Sequence, residues 1–334
     1  MPLAACPSAM PSYREFLRSH RVMLAPLAGV SDRVMRQLCI EQGAQLTFTE
    51  MVSAKGLSHG NERTEDLLEM APNEDIVGVQ IFGHEPEVMA GQASRLCETV
   101  GEKLAVIDIN MGCPVRKLVT KGDGSALMKS PELAERIVSA VVAASSVPVT
   151  VKFRRGYEID NETAPEFARR MEQAGACAVT VHGRYAAQMY HGQADWGVIE
   201  RVVRSVSIPV VGNGDVVSGA SALAMMEQTG CEAVLVARAA RGNPWVFAEI
   251  RAALEGRPAP EGPTPLQRVE MARRHAHLLY EWEPRALVRM RKQGSWYCKG
   301  LDGASAARGM LNACKTIEEY DLAFDQLEQH LKGC

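Results

Sequence analysis

The sequence predicts an α/β fold: a TIM (β/α)8 barrel followed by a small all-α helical domain. Three observations carry this expectation. Eight short apolar segments alternate with amphipathic helical stretches, polar residues interrupt the ends of most of those segments, and the chain changes character after residue 254.

The apolar segments are residues 22–25, 46–50, 76–82, 105–110, 147–153, 178–182, 208–212 and 233–236. Most are continuous rather than alternating, as strands covered on both faces should be. Helical patterns lie between them at residues 86–100, 131–144, 164–174 and 218–229, while the connection 51–75 is the least clearly helical. An open doubly wound sheet is the structural alternative. It would want a G-x-G-x-x-G turn after the first strand, where this chain has Pro26-Leu27-Ala28-Gly29.

Residues 255–265 (EGRPAPEGPTP) are dense in Pro and Gly and read as a linker. Helical patterns follow at 266–282, 284–298, 304–314 and 317–331. The expected organisation is an N-terminal extension (1–20), a barrel (21–254), the linker (255–265) and a helical domain (266–334).

The 334 residues are 46% hydrophobic and 23% charged, the balance of a soluble globular protein. No apolar run approaches the ~18 residues of a transmembrane helix. Pro2, Pro7, Pro11 and Arg14 break up the first 19 residues, so no signal peptide is expected and a cytoplasmic location is. Nine scattered cysteines without C-x-x-C or Cys/His ligand spacing point away from a disulfide framework and from a bound metal. Net charge is −3, yet residues 268–315 hold ten Lys/Arg against four Asp/Glu, a local +6 that leaves −9 for the rest. That asymmetry points to a polyanionic partner at the C-terminal end.

Barrel chemistry sits at the carboxyl ends of strands. Those positions hold Pro26 to Gly29, Glu50, Gln80, Asn110 to Cys113, Lys152, His182 to Arg184, Asn213 to Asp215, and Ala237-Arg238. Six or more strands ending this way imply one convergent site. Asn213-Gly214-Asp215 and Arg238 follow the last two strands, where such barrels commonly hold phosphate. Glycine there lets backbone N–H groups approach an anion, and arginine can pair with it. Lys152 ends a strand whose inner positions read as Val149 and Val151; facing the mouth, it can hold negative charge on a cofactor ring such as a reduced isoalloxazine. Cys113 lies just past a strand in Asn110-Met111-Gly112-Cys113-Pro114, with the glycine-rich stretch Lys121 to Ala126 soon after. A thiol is largely protonated at neutral pH and can act as a general acid.

These pieces occur in a recognisable order: APLAGVSD (25–32), TEMVSAKGL (49–57), VQIFG (79–83), NMGCP (110–114), VKFRRG (151–156), VHGR (181–184), ADW (194–196), NGD (213–215) and MRK…WY…G (290–300). The sequence resembles the bacterial tRNA-dihydrouridine synthases, most closely their B-type branch, from about residue 23 to 331. The resemblance implies FMN on Pro26, Leu27 and Ala28, with Gln80 and Lys152 at the ring. It implies a phosphate near Asn213, Gly214, Asp215, Ala237 and Arg238, with His182 close by. Cys113 becomes the catalytic acid, and Asn110, Arg154 and Arg184 become contacts to flavin or substrate. NADPH is the implied reductant and tRNA the implied substrate, held in part by Arg285, Arg289, Arg291, Lys292 and Lys299 of the helical domain. A small-molecule flavin oxidoreductase of the dihydroorotate dehydrogenase type is the alternative. Two departures stand out: Ala237 replaces the family's usual glycine, and Tyr185 replaces a usual Thr, for which an altered substrate edge is expected. A monomer is the default for a chain whose sequence leaves the oligomeric state open.

Overall fold

A computed structural model describes residues 13–333. Nine strands run parallel: β1 (Val22–Leu24), β2 (Leu46–Thr47), β3 (Val52–Ser53), β4 (Val77–Phe82), β5 (Leu104–Met111), β6 (Val149–Arg154), β7 (Ala178–His182), β8 (Val210–Asn213) and β9 (Ala233–Val236). Their order is β2-β1-β9-β8-β7-β6-β5-β4-β3.

The two edges of this sheet lie close together in the chain: β2 falls in the second apolar segment (46–50), whereas β3 lies just beyond it, in the connection 51–75 where no strand is expected. β2 pairs with β1 at one edge and β3 with β4 at the other. Between them Phe48 bridges Gly78, and Thr49 N donates to Gly78 O at 3.0 Å. The sheet therefore curls until its edges meet across one chain segment. Gly78 makes the approach possible, because a Cβ there would overlap the Phe48 ring.

Residues alternate between the sheet's two faces, a pattern hidden by the apolar continuity of the sequence. Val79, Ile81, Ile107, Ile109, Val149, Val151, Val179, Val181, Val234 and Val236 join one large core with the surrounding helices. Val149 and Val151 are thus helix-facing, not inner. The concave face takes the other set. At its amino end a separate apolar cluster gathers Met23, Leu46, Val106, Ala178, Val211, Ala233 and Leu235. Further along the same strands come Gln80, Asp108, Asn110, Thr150, Lys152, Arg154, Thr180 and His182. One end of the concave face is dry and the other polar.

Tyr13 and Leu17 belong to that dry cluster, and they come from a helix, Tyr13–Ser19. Part of the expected N-terminal extension is therefore packed structure; residues 1–12 lie outside the described residues. The irregular connection 51–75 holds two short helices, Ala54–Ser58 and Glu62–Glu65, and a 3₁₀ turn, Asp66–Leu68. It is anchored by a buried ion pair, Arg36 Nε to Glu74 Oε1 at 2.8 Å, with Glu74 also accepting from Ala71 N.

After an exposed stretch without regular structure, a helix begins at Pro265, capped by Thr264 and Gln267 in a reciprocal capping box. Helices Pro265–Trp282, Met290–Tyr297, Ala304–Ala313 and Ile317–Lys332, with a 3₁₀ turn Pro284–Arg289, surround a second core. That core also takes Val34 and Leu38 from the helix Arg33–Glu41, so the C-terminal helices are packed onto the sheet-bearing part. No helix among the described residues is long and apolar enough to cross a membrane.

Gly78→Ala should destabilise the protein by about 1–3 kcal/mol through overpacking against Phe48. The check is the urea midpoint; an unchanged value would mean that Phe48 moves aside without cost.

Candidate active site

A cavity of about 690 Å³ opens at the carboxyl ends of the strands. Its lining brings together Pro26, Leu27, Ala28, Gln80, Asn110, Cys113, Lys152, Arg154, His182, Asn213, Gly214, Asp215, Ala237 and Arg238. It also takes Met51, next to Glu50 at the end of the second apolar segment, and Tyr190, Arg241, Trp296 and Lys299, none of which lies at the end of such a segment. The family motif around residue 290 contains Trp296, but nothing in its spacing marks the indole as a wall of the barrel mouth.

The turn that carries Cys113 is held from several directions. Asn110 Oδ1 accepts from Gly112 N at 3.2 Å and from Cys113 N at 3.0 Å. Asn110 Nδ2 donates to Gln80 Oε1 at 2.7 Å, and Gln80 Nε2 donates to Asp108 Oδ2 at 2.6 Å. Thr150 Oγ1 donates to Asp108 Oδ1 at 2.6 Å. From the other side Arg154 Nε donates to Gly112 O at 2.7 Å, and Ser125 N donates to Cys113 O at 3.0 Å. Gly124 has φ +60°, and a Cβ there would lie 2.7 Å from Cys113 O. Glycine is required at that position on both counts.

Burial sets the charge states. It pushes the Cys113 thiol up, against the opposing pull of the Val115 backbone, Arg154 and Lys152. The thiol keeps its proton at neutral pH. Burial and then Arg154 lower Lys152 to about 8, so the ammonium is poised near physiological pH. His182 is pushed well below its ordinary value by burial and by Lys152, Arg154, Arg184 and Arg238. It is therefore neutral. Burial also raises Asp108, opposed by the hydrogen bonds from Gln80 and Thr150.

Gly214 has φ +116° and Asp215 φ +58°, and neither N–H donates to an acceptor among the described residues. The Asp215 carboxylate is turned away from such a role, accepting from Arg184 at 2.8 Å, Arg238 at 3.0 Å and Ala194 N at 2.8 Å. Ala237 has φ −118°, so its methyl meets no left-handed constraint. Tyr190 stands in the cavity with the guanidinium groups of Arg154 and Arg238 at 5.5 and 5.4 Å from its ring.

Four of the residues expected to meet flavin, substrate or tRNA do not line the cavity. Arg184 is 2% exposed and braces its own loop, donating to Gly192 O at 2.6 Å and to Asp215. It supports the wall and does not line the cavity. Arg289 turns inward to Asp32 Oδ2 at 2.9 Å and Glu50 Oε1 at 3.0 Å. Glu50 also accepts from Gly29 N, so Arg289 ties the C-terminal helices to the turn after β1. Arg291 donates to Cys314 O, and exposed Lys292 lies 5.4 Å from the Trp296 ring. Arg273 pairs with Asp321, Asp325 and Glu328, and Arg274 with Glu41. Much of the local basic excess is thus neutralised inside the fold. Tyr185 is buried with Arg155 4.6 Å from its ring, so the departure there changes packing and not a substrate edge.

A curled parallel α/β sheet with a protonated cysteine, a lysine and an arginine converging at its carboxyl mouth is the architecture of an enzyme. A sequence profile of the dihydrouridine synthase (Dus) family matches residues 23–332, and the chain belongs to that family of oxidoreductases. It is 38% identical to a probable tRNA-dihydrouridine synthase 1 of Synechocystis sp., over 94% of this chain and 88% of that one. It is 40% identical to the tRNA-dihydrouridine synthase B of Pseudomonas aeruginosa, over 88% of each. Among solved structures, a mandelate oxidase mutant with benzaldehyde aligns with a TM-score of 0.47 at 20% identity, over 70% of this chain and 73% of that one.

Arg289→Met should cost about 3 kcal/mol by stranding two buried carboxylates. Denaturant unfolding at pH 7 checks this, and a loss below about 1 kcal/mol would mean that water already reaches them. Lys152→Met should stabilise the flavin-free protein, on the order of 2–3 kcal/mol at pH 7. The folded lysine titrates near 8 against 10.5 in the unfolded chain. The advantage is therefore full below pH 8 and should shrink between pH 8 and 10.5, because wild-type stability rises through that window. A pH-independent difference would place the ammonium in water.

Proposed function

We propose that the chain is an FMN-dependent, NADPH-driven tRNA-dihydrouridine synthase that reduces the C5=C6 bond of a uridine in tRNA. The likeness to B-type relatives favours a D-arm position. The observation that carries the reading is Cys113: a thiol kept protonated by burial, on a turn fixed by Asn110, at the rim of a cavity holding Lys152 and Arg154. Residues 21–254 are read as a closed TIM barrel, supported by the Phe48–Gly78 bridge, and residues 266–334 as its tRNA-binding domain.

The residues present fit FMN. The N–H groups of Gly214 and Asp215, without internal acceptors, and the Arg238 guanidinium suit a phosphate. A side chain at Gly214 would meet Ala194 and His182, so only glycine fits at this turn. Pro26, Leu27 and Ala28 offer an apolar wall, and Lys152 offers positive charge for an electron-rich ring edge. When bound and reduced by NADPH, FMN supplies the hydride to C6 of the uracil.

The chain's own residues do the remainder. The target base has to leave its stacked environment to enter the cavity. Cys113 Sγ–H delivers a proton to C5, which becomes basic as C6 is reduced. Lys152 and Arg154 oppose the negative charge that develops on the uracil. Neutral His182 can accept or donate a hydrogen bond without adding charge. Trp296 and Lys299 bring the C-terminal helices to the same mouth, where a polynucleotide would cross.

Purified protein should carry flavin absorbance or take up added FMN; a colourless protein that cannot be loaded would remove the cofactor assignment. Cys113→Ala should keep flavin and its reduction by NADPH while dihydrouridine formation in tRNA falls by about 10²–10⁴-fold. Wild-type turnover of free pyrimidines without tRNA would instead favour a small-molecule flavin oxidoreductase.

A further inference from the structure

A second cavity, of about 780 Å³, shares a wall with the first. The wall is the segment after β5. Cys113, Pro114 and Val115 line the candidate active site, whereas Lys117, Leu118, Lys121 and Asp123 line the second cavity. Its other sides come from residues 53–56 after β3 and 82–85 after β4, at the carboxyl ends of the same sheet. Nothing in the mechanism above uses it.

Its interior is apolar, with Ala54, Phe82, Val88, Met89 and Leu118. Its charges are not balanced. Glu85 is taken by Lys55, with Lys55 Nζ to Glu85 Oε1 at 2.7 Å. Asp123 is taken by His84, with Nδ1 to Oδ1 at 2.7 Å. Both lining carboxylates are thus occupied. Lys117 and Lys121 are exposed and have no acidic partner among the described residues. An apolar hollow under two free ammonium groups complements a nucleotide, with its flat base and its phosphate.

We propose that this cavity is a subsite for a nucleotide flanking the target base in the RNA, its phosphate at Lys117 and Lys121 and its base on Leu118 and the apolar interior. The inference rests on the functional reading above. A base reaching Cys113 from a polynucleotide leaves its neighbours to continue over the rim, and one side of that rim is this single segment. The position beside Cys113 favours RNA over the reductant, because the cysteine meets the uracil and has no part in delivering electrons to the flavin. A free dinucleotide shares the phosphate-and-base chemistry, so the experiment must separate the two.

The test uses the FMN-loaded enzyme with both lysines replaced, Lys117→Ala with Lys121→Ala, beside the charge-preserving pair Lys117→Arg with Lys121→Arg. The alanine pair should raise KM for tRNA about tenfold and reduce the slope of log affinity against log salt by about one to two. Flavin content, the rate of flavin reduction by NADPH and KM for NADPH should stay as in wild type, and the arginine pair should restore tRNA binding. Unchanged KM and salt slope for tRNA would overturn the proposal. A raised KM for NADPH with normal tRNA binding would overturn it as well, and assign the cavity to the dinucleotide. Failure of the functional reading looks different: the wild-type enzyme itself would form no dihydrouridine in tRNA.

Discussion

The amide of Asn110 is the contact on which the site depends. Its oxygen receives the N–H groups of Gly112 and Cys113, and its nitrogen is spent on Gln80. An amide rotated end for end would present two donors to two donors, so the orientation has to be enforced. Gln80 enforces it, because its own nitrogen is held by Asp108 and its oxygen is then the only end free to accept. Asp108 in turn accepts from Thr150. The position of one thiol is thereby referred back through three side chains to the middle of the sheet. Buried networks of this kind hold a single arrangement when every member is satisfied.

Such a network is possible because the sheet has two unlike faces. The helix-facing valines and isoleucines supply the core that holds the sheet together. The concave face is then released from that duty at its carboxyl half, where polar and charged groups collect. At the amino half, Tyr13 and Leu17 close the hollow and keep it dry. Burial of the polar half has a chemical consequence: it keeps the Cys113 thiol protonated and lowers Lys152 to about 8.

The C-terminal helices contribute in two ways. Arg289 reaches the buried carboxylates of Asp32 and Glu50, and Glu50 holds Gly29 N, so the turn after β1 is steadied by a residue more than two hundred positions away. Trp296 and Lys299 complete the mouth. A positive charge count over residues 268–315 described this region only coarsely, since the count does not show which cations already have carboxylates. Arg273, Arg274 and Arg289 do.

The order of strands and helices, the carboxyl-end location of the site and most of its lining were legible in the sequence. Those properties are local: apolar runs of strand length, and polar residues where the runs stop. The segments 178–182 and 233–236 coincide with β7 and β9. Whatever depends on a partner distant in sequence was not legible. The split of residues 46–53 into two edges follows from Phe48 meeting Gly78. The inward turn of Arg184 and Arg289 follows from Asp215, Asp32 and Glu50 lying opposite them. Val149 and Val151 face the helices because pleating puts Thr150 and Lys152 on the concave side. Composition and spacing determine which groups exist and roughly where the chain turns. Only the folded chain decides which charge meets which, because that pairing is set by distance in space.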